Sequence, residues 1–328
     1  MTTQLAEHTD PNLAAVSTLE RRRLDMQVRG QYQVVRELGR GGMGVVFLAR
    51  DVALHRMVAI KVLRDEFVTS EPHRERFRRE ARLTARLTHP GIVPVYTFGE
   101  SRDLVYLVMQ YVNGESLAHR LPGVAKLSAA ESLAILHDLA QALEYAHAQG
   151  LVHRDLKAEN VLIERGTGRA LLTDFGVARV RDSSPDLWER EHASGTPHYM
   201  SPEQAAGEPD LDRRSDIYSL GVLGYLMLSG TLPFDGSTFT ALAAQHIVKA
   251  PVPLDKLGVD APQPLVRAIM RCLAKERGDR FATAADFGTA ITRITADNAD
   301  RAVRRKIGAR GWMRVTTVFA IAAALFGP

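Results

Sequence analysis

A strand-like pattern of apolar and polar positions dominates the first third of the chain. The strands are predicted at residues 32–38, 45–49, 57–63, 92–98 and 103–109. Between the third and fourth strands, a helix has an inward-facing stripe that includes Phe77 and Leu87. The Asn113-Gly114 pair then breaks the strand pattern, so the β-rich part is expected to end near Tyr111.

The remaining segments have the longer apolar period of helices. They are predicted at residues 128–149, 217–229 and 284–295. Ser128 and Glu131 have the spacing of a capping box at the start of the first of these helices. Asp216 precedes the second helix, where an ordinary N-cap and a special role are equally good interpretations. Residues 1–30 lack sustained periodicity and are expected to form a mobile tail.

Composition narrows the class of protein without identifying it. At 328 residues the chain exceeds a usual domain of roughly 100–200 residues, so two lobes or one domain with tails are expected. The formal net charge is +4. Basic residues are interspersed with acidic residues along the chain, which argues against nucleic-acid binding. The single cysteine, Cys272, excludes an internal disulfide and fits a buried position better than a catalytic thiol. No apolar signal sequence opens the chain, so we expect that this part is not secreted.

The glycine cluster between the first two strands has the spacing Gly39-x-Gly41-x-x-Gly44. Such a cluster lets backbone N–H groups approach a phosphate chain closely. The spacing alone also marks dinucleotide folds, where it opens a helix. Here a second strand follows, which favours a phosphate-covering hairpin, and a merely flexible hairpin tip is the alternative.

One lysine interrupts the apolar strand at residues 57–63. Alternation places Lys61 on the same face as Ala59 and Leu63, so its ammonium needs an anionic partner. Glu80 interrupts the inward stripe of the following helix. The sequence therefore predicts an ion pair between Lys61 and Glu80, with a solvated helical charge as the alternative for Glu80.

Residues 153–160 read His-Arg-Asp-Leu-Lys-Ala-Glu-Asn and lie between two apolar stretches. They bring a carboxylate, an ammonium and a carboxamide within six positions, which indicates a rigid reaction site; a polar surface turn is the alternative. Asp174 follows a short strand and begins the triplet Asp-Phe-Gly. Together with Asn160 it would offer two oxygen ligands to Mg²⁺.

In this order and combination, the motifs resemble those of protein kinases, and those of bacterial eukaryotic-type serine/threonine kinases in particular. The resemblance covers residues 31–294 and includes the segment Gly-Thr-Pro-His-Tyr-Met-Ser-Pro-Glu at 195–203. It implies an α+β bilobal kinase fold, with a small β-rich lobe that has one main helix and a larger helical lobe. The expected domain is 31–295, divided near residue 111.

The resemblance also implies the nucleotide site. The implied ATP-binding residues are Leu38, Gly39, Gly41, Gly44, Val46, Ala59, Lys61, Met109, Gln110, Val112 and Leu162. The glycines would cover the phosphates, and Lys61, held by Glu80, would bind the α- and β-phosphates. Val46, Ala59 and Leu162 would enclose adenine beside the gatekeeper Met109 and the hinge at 110–112.

For phosphoryl transfer, the resemblance implies that Asp155 accepts the proton of the substrate hydroxyl and that Lys157 neutralises the transferring group. Asn160 and Asp174 would bind Mg²⁺, with Mn²⁺ as an alternative. Glu203 and Arg280 match a buried ion pair of the larger lobe. Ala158 stands where the family usually has proline, which should loosen the loop slightly.

The presence of Lys157 and Thr196 in their motifs resembles the pattern of serine/threonine kinases and not that of tyrosine kinases. Arg154, beside the catalytic aspartate, needs an anion, which relatives commonly supply by phosphorylation of the activation segment. The threonine pair that the bacterial relatives usually phosphorylate is missing between residues 182 and 194. The candidate replacements are Glu189 and Glu191, or phosphorylation of Ser183, Ser184 or Ser194.

The C-terminal end combines charge with an apolar run. Residues 296–314 form a basic juxtamembrane-like segment, and residues 315–328 are apolar, which is the positive-inside pattern of a membrane helix. Fourteen residues span about 21 Å, less than the roughly 30 Å hydrocarbon core. We expect a truncated transmembrane helix, and partial insertion or packing on protein are the alternatives.

The sequence thus predicts an ATP-dependent serine/threonine protein kinase of bacterial signalling that also phosphorylates itself. We expect protein substrates, a homodimer for trans-autophosphorylation and contact with the inner face of the membrane. We expect no binding of nucleic acid. A pseudokinase scaffold is the binding-class alternative, which the intact catalytic set disfavours. A small-molecule phosphotransferase would not need the protein-substrate segment at 195–203.

Overall fold

The structure is a computed structural model that describes residues 11–41, 44–124, 126–175, 197–236 and 238–292. The helices are α1 Pro11–Gln27, α2 Asp65–Val68, α3 Glu71–Thr84, α4 Leu117–Val124, α5 Ala129–Ala148, α6 Pro202–Ala205, α7 Arg214–Ser229, α8 Phe239–Val248, α9 Gln263–Cys272 and α10 at 284–292. The strands are β1 Tyr32–Arg40, β2 Gly44–Asp51, β3 Arg56–Leu63, β4 Val95–Glu100, β5 Val105–Gln110, β6 Gly114–Ser116, β7 Val161–Glu164 and β8 Ala170–Leu172. They form a small β-rich lobe and a larger helical lobe, as predicted.

The small lobe is built on an antiparallel sheet in the order β1-β2-β3-β5-β4. Because side chains alternate along a strand, each face of the sheet needs its own cover. On one face, Phe47 and Ile60 belong to a core with Leu24 and Val28, from α1 and the turn that follows it. On the other face, Phe77 of α3 packs in a core that includes Ala59 and Leu107. The sheet is therefore the middle layer of three.

The larger lobe is organised around α5 and α7. Ser128 caps α5, since its side chain accepts a hydrogen bond from the Glu131 backbone N–H. Both helices contribute to one large core, in which Leu139, Ile217 and Leu223 are fully buried. Each such side chain contributes roughly 1.5–3 kcal/mol through removal of apolar surface from water. This core supports the small sheet β6-β7-β8, which lies at the junction with the first lobe.

Three sequence expectations need correction or adjustment. The irregular tail expected at residues 1–30 is wrong for Pro11–Gln27, which form helix α1. The N-cap of α7 is Arg213, so Asp216 lies inside the first turn and is not the cap. The strand expected at 92–98 begins at Val95, while Ile92 forms an isolated bridge with Leu172.

Within the described ranges, no helix is both long and apolar enough to cross a membrane. The basic segment 296–314 and the apolar segment 315–328 both lie outside those ranges.

Candidate active site

The structure brings Lys61 and Glu80 together. Strand β3 alternates as predicted, so the Lys61 side chain lies on the α3 side of the sheet, and its Nζ is 3.3 Å from Glu80 Oε1. A second carboxylate is closer, since Asp174 Oδ1 lies 2.7 Å from the same Nζ. One lysine therefore joins the sheet, helix α3 and the segment after β8.

The charges of this trio are strongly coupled. Burial alone would lower the pKa of Lys61, but Asp174 and Glu80 outweigh it and raise the pKa above its ordinary value. Burial would raise the pKa of Asp174, but the Lys61 ammonium keeps it below its ordinary value. Burial raises the pKa of Glu80 despite Lys61. Asp174 is therefore the stronger anionic partner in this structure.

The glycine turn lies above this trio. The Gly41 backbone N–H donates to the Gly44 carbonyl at 2.8 Å, which closes the hairpin. A Cβ on Gly44 would lie 2.9 Å from the Val62 carbonyl oxygen, so the close approach of β2 to β3 requires glycine there. At Gly39 a Cβ would meet no atom of the described residues within 4 Å. Among these residues, none occupies the space beside Gly39.

The residues expected around adenine share one apolar cluster. Ala59, Met109 and Val112 are buried in it, and Val46 and Leu162 pack against it from the two lobes. Leu38, at the rim, is 37% exposed. The structure therefore brings these residues into one apolar cluster between the lobes.

The first residue of the hinge at 110–112 already has a partner for its backbone N–H group. The Gln110 backbone N–H donates to the Pro94 carbonyl at 3.0 Å. Gln110 also ends the β5 ladder opposite Val58. A hydrogen bond from the hinge N–H groups to a bound base would therefore come from Val112 and not from Gln110.

Asp216 holds the backbone at the start of the catalytic loop, residues 153–160. Its carboxylate is fully buried and accepts hydrogen bonds from the backbone N–H groups of His153, at 2.7 Å, and Arg154, at 2.8 Å. His147 Nε2 lies 2.7 Å from the same group. Burial would raise the pKa of Asp216, but the hydrogen bond with His147 and these N–H donors hold it below its ordinary value. The carboxylate acts as a charged anchor beneath the loop.

His153 is a second internal support of the loop. It is completely buried, its Nε2 is 3.2 Å from the Thr173 carbonyl oxygen, and the Asp155 backbone N–H donates to its Nδ1 at 3.3 Å. Its ring also contacts Phe175, with centroids 4.6 Å apart. Burial lowers the pKa of His153, so the imidazole is neutral near pH 7. The ring therefore connects the loop to the segment that carries Asp174.

The polar groups of the loop face one another above these supports. Asn160 Nδ2 donates to the Asp155 carbonyl at 2.8 Å and to Asp155 Oδ2 at 3.2 Å. Lys157 Nζ lies 3.4 Å from Asp155 Oδ2. Ala158 is buried at the start of a short 3-10 turn, so the loop is regular here without the proline of the family pattern. Asp155 is therefore oriented by an amide and approached by a cation.

The arrangement fits a divalent cation that shares its ligands with phosphate. The described residues contain no group of three or more His, Cys, Asp or Glu side chains that could hold a metal on its own. The nitrogen of the Asn160 amide is committed to Asp155, which leaves its carbonyl oxygen as a ligand, and Asp174 supplies a carboxylate. Hard cations such as Mg²⁺ take oxygen ligands of this kind and complete their shell with substrate oxygens.

Two backbone positions in the site are unusual. Arg154 has φ 62° and Asp174 has φ 56°, in the left-handed region where side chains other than glycine are disfavoured. Arg154 is half-buried, and its Nε has no hydrogen-bond partner among the described residues. Burial lowers the pKa of Arg154, and the nearby Arg79 lowers it further, although Asp216 opposes both. A cation in such surroundings favours an anionic partner.

The predicted pair of Glu203 and Arg280 forms in the core of the larger lobe. Two bonds of 2.8 Å join the guanidinium to both oxygens of the carboxylate. Glu203 also accepts a hydrogen bond from Ser215 Oγ. Arg280 reaches the backbone carbonyls of Ala274 and Lys275, so the pair joins the α6 region to the chain before α10.

Several predicted site residues cannot be placed. Gly176, Ser183, Ser184, Ser194 and Thr196 lie outside the described residues, as do Glu189 and Glu191. The sequence interpretation also missed the roles of His147, His153 and Gln204, whose Nε2 donates to the Arg154 carbonyl at 2.9 Å. A polar residue inside an otherwise apolar helix was the available signal for Asp216.

The comparisons with known proteins agree with this geometry. The protein kinase domain family matches residues 32–289, which is more than half of the chain. The chain therefore belongs to the protein kinase family.

Its relatives are bacterial. The chain is 38% identical over 275 residues to the serine/threonine-protein kinase PrkC of Bacillus subtilis, covering 84% of this chain and 42% of PrkC. It is 41% identical over 279 residues to PknA of Mycobacterium tuberculosis, covering 84% of this chain and 63% of PknA. The crystal structure of the Mycobacterium tuberculosis PknI kinase domain superposes with a TM-score of 0.64 at 33% identity, covering 80% of this chain and 96% of that domain. The chain thus spans only part of the length of these curated relatives.

Proposed function

We propose that this chain is an ATP-dependent serine/threonine protein kinase that takes part in bacterial signalling. The observation that carries the proposal is the placement of Lys61 Nζ at 3.3 Å from Glu80 and 2.7 Å from Asp174, in the same cleft as Asp155. Such a geometry assembles, from both lobes, the charges that phosphoryl transfer requires. The names of the bacterial relatives support the choice of serine and threonine as acceptors.

In this proposal the nucleotide lies between the lobes. The base occupies the slot formed by Val46, Ala59 and Leu162, and the glycine turn covers the phosphates. Lys61 binds the α- and β-phosphates and gives up part of its contact with Asp174. Asn160 and Asp174 hold Mg²⁺, with Mn²⁺ as an alternative, and the bound cation supplies charge neutralisation at the phosphates.

The transfer step needs only positioning and charge. The substrate hydroxyl oxygen forms a bond to the γ-phosphorus as the bond from that phosphorus to the β,γ-bridging oxygen breaks. Asp155 accepts the hydroxyl proton, and ADP leaves with the bridging oxygen and its negative charge. Lys157, which lies 3.4 Å from Asp155 Oδ2, neutralises charge on the transferring group.

Incubation of the full chain with Mg²⁺, labelled ATP and a generic protein substrate tests this function. We expect phosphoserine and phosphothreonine in the wild type, and a loss of about 10²- to 10³-fold or more in Lys61→Met and Asp155→Asn. Nucleotide binding without transfer in the wild type would instead favour a pseudokinase scaffold. Phosphotyrosine as the main product would contradict the choice of acceptor.

The anion that Arg154 needs is part of the proposal. We assign it to Glu189 or Glu191, or to phosphorylation of Ser183, Ser184 or Ser194. Phosphosite mapping is combined with two variants, a triple Ala variant of the serines and a charge reversal at both glutamates. Full activity in both variants would exclude both assignments.

The remaining partners follow from the same assignment. Protein substrates with serine or threonine bind at the cleft, and a homodimer carries out trans-autophosphorylation. Residues 296–328 attach the kinase to the inner face of the membrane. Mixing Asp155→Asn with wild type should give labelled Asp155→Asn if the reaction occurs in trans. Complete recovery of the full chain in the soluble fraction after lysis would contradict the membrane contact.

A further inference from the structure

Helix α1 precedes the part of the chain that matches the kinase family, which begins at residue 32. Leu24 in its last turns and Val28 just beyond it are fully buried in the core on the outer face of the sheet. Arg21 also reaches β1, since its guanidinium donates to the Val34 and Val35 carbonyls at 3.4 and 3.2 Å. The helix is therefore an integral layer of the small lobe.

One carboxylate of this helix is buried against the glycine turn. Glu20 lies one turn before Leu24 and is 0% exposed. Its Oε2 is 2.8 Å from Nη2 of Arg40, the residue between Gly39 and Gly41. Arg40 Nε lies 3.5 Å from Glu37 Oε1 on the same strand. Helix α1 thus holds the side chain that stands at the start of the turn.

The bonding of this pair favours a positioning role over a stabilising one. A buried ion pair offsets the loss of hydration only when its other polar atoms are also bonded. Among the described residues, Glu20 Oε1 and Arg40 Nη1 have no hydrogen-bond partner. The pair is therefore poorly suited to stabilise the fold, while it connects a rigid layer to a turn.

The backbone holds the base of the turn, where Gly39 pairs with Val46 and Arg40 with Val45 in the β1–β2 ladder. Among the described residues, a Cβ at Gly39 would meet nothing within 4 Å, and one at Gly41 would meet only the Gly44 carbonyl oxygen, at 3.9 Å. Glycines have no side chain with which to anchor a loop. Beside the backbone ladder, the Arg40 side chain thus connects the start of the turn to a buried side chain of α1.

We infer that Glu20 is a positioning residue for the nucleotide: through Arg40 it sets the glycine turn over the phosphates and keeps the guanidinium engaged away from them. The inference rests on the proposed kinase function, because it assigns to the turn a phosphate ligand. It makes the N-terminal helix part of the nucleotide site without any contact with the nucleotide.

The chain offers a matched control. Arg23, three residues after Glu20 on the same helix, forms an ion pair of similar length with Asp65, at 2.7 Å, just after the β3 residue Leu63 that pairs with Gly44. This control therefore removes a contact of the helix at the same end of the sheet without altering Arg40. Arg40→Gln and Arg23→Gln are the same substitution, and each removes one ion pair of α1. Wild type, Glu20→Gln, Arg40→Gln and the double variant Glu20→Gln/Arg40→Gln form a double-mutant cycle.

The KM for ATP, kcat and thermal unfolding are measured for the full chain. We expect Glu20→Gln and Arg40→Gln each to raise KM about 3- to 10-fold, with the double variant no worse than either single one. The kcat should change less than about twofold, because the transfer groups lie elsewhere. Arg23→Gln should leave KM within about twofold of wild type.

Three results would overturn the inference. If Arg23→Gln raised the KM for ATP as much as Arg40→Gln does, the effect would come from docking of the helix as a whole. A shift in Arg40→Gln without one in Glu20→Gln would mean that Arg40 acts on the nucleotide directly. If KM were unchanged in both Glu20→Gln and Arg40→Gln, Glu20 would have no positioning role. If Glu20→Gln does not fold, Glu20→Asp takes its place, since it keeps the buried charge but shortens the reach to Arg40 Nη2.

Calorimetric titration with ADP and Mg²⁺ separates this inference from the proposed function. Binding by a wild type that transfers no phosphate would refute the kinase activity, and the Kd values of the same variants would then test Glu20. A wild type that binds no nucleotide would refute both.

Discussion

The two halves of the site are held by different means. In the larger lobe, the catalytic loop rests on Asp216, a completely buried carboxylate with three donors within 2.8 Å. At the small lobe, Lys61 is held by ion pairs with some exposure to solvent, since the side chains of Glu80 and Asp174 are 15% and 32% exposed. Buried charges are costly to disrupt, whereas exposed pairs contribute little to stability. The larger lobe therefore supplies a fixed platform, and the small lobe supplies adjustable contacts.

The difference matters for how each half can change. The contacts of Lys61 can exchange, because incoming phosphates compete with Asp174 for its ammonium. The backbone of His153 and Arg154 cannot move without removing two of the three hydrogen bonds to a buried carboxylate. Adjustment on nucleotide binding should therefore take place mainly in the small lobe and in the segment that carries Asp174.

The largest expected effect follows from damage to the platform. Asp216→Asn would place an amide N–H opposite backbone donors that now share a carboxylate. We expect the free energy of unfolding to fall by about 3–5 kcal/mol and transfer activity to fall at least 100-fold. Urea denaturation measures the first effect. The control is Asp212→Asn, a more exposed carboxylate paired with Arg214, for which about 1 kcal/mol or less is expected. Equal losses would remove the distinction between a platform and a surface pair.

Acid should affect the larger lobe through His246. Its Nδ1 is 2.9 Å from the Tyr218 hydroxyl, and burial, with Lys275 and His198 nearby, lowers its pKa to about 3. Between about pH 6.5 and 3 the unfolded chain binds a proton that the folded chain does not, so stability falls as pH falls. This group alone should contribute a slope of about 1.4 kcal/mol per pH unit in that window.

Urea denaturation of the wild type and of His246→Gln between pH 7 and 4.5 checks this slope. The variant should start less stable at pH 7 and show a shallower loss on acidification. Parallel curves would show that protonation of His246 does not contribute to the loss of stability in acid.

A smaller effect is expected where the platform meets the activation segment. Arg154→Gln retains the backbone N–H that Asp216 holds but removes the charge beside Arg79. We expect roughly 10-fold lower activity with stability changed by no more than about 1 kcal/mol. Activity assays before and after autophosphorylation measure the effect. Activity equal to wild type in both conditions would show that the guanidinium has no role in activation.

The smallest effect is expected on the outside of the small lobe. Glu100 accepts from Arg74 and Arg78 at 2.6 and 2.7 Å, in a network that is partly exposed to solvent. Glu100→Gln should lower the unfolding free energy by about 1 kcal/mol or less, and the difference should shrink at high salt. Thermal unfolding at 0.05 and 1 M salt measures both. A loss as large as that of Asp216→Asn would contradict the contrast between the lobes.

The sequence predicts the small-lobe site well because its signals are local. Alternation along β3 places Lys61 on the side of α3, and helical spacing places Glu80 on the inward stripe. The lobes and most strands follow from the same patterns, together with the kinase resemblance. These contacts depend on the geometry of single elements, which a pattern can reveal.

The missing parts depend on tertiary structure. The apolar positions of helix α1 follow no sustained helical period, and Leu24 gains its burial only from a sheet face that the pattern did not show to need a cover. Asp216 accepts from a residue 63 positions away in sequence, so its position near a helix start was equally consistent with a cap. The pair of Glu20 with Arg40 joins residues 20 positions apart, and no local period of either element relates them.

The left-handed backbone of Arg154 limits how this protein can be engineered. An arginine with φ 62° is held there against its own preference, at a cost on the order of 1–2 kcal/mol. A glycine at position 154 would suit the backbone without that cost, yet it would discard the guanidinium to which the proposed function assigns the activating anion. A search for heat-resistant variants would therefore tend to select substitutions here that preserve the fold while they disconnect the kinase from its activating signal.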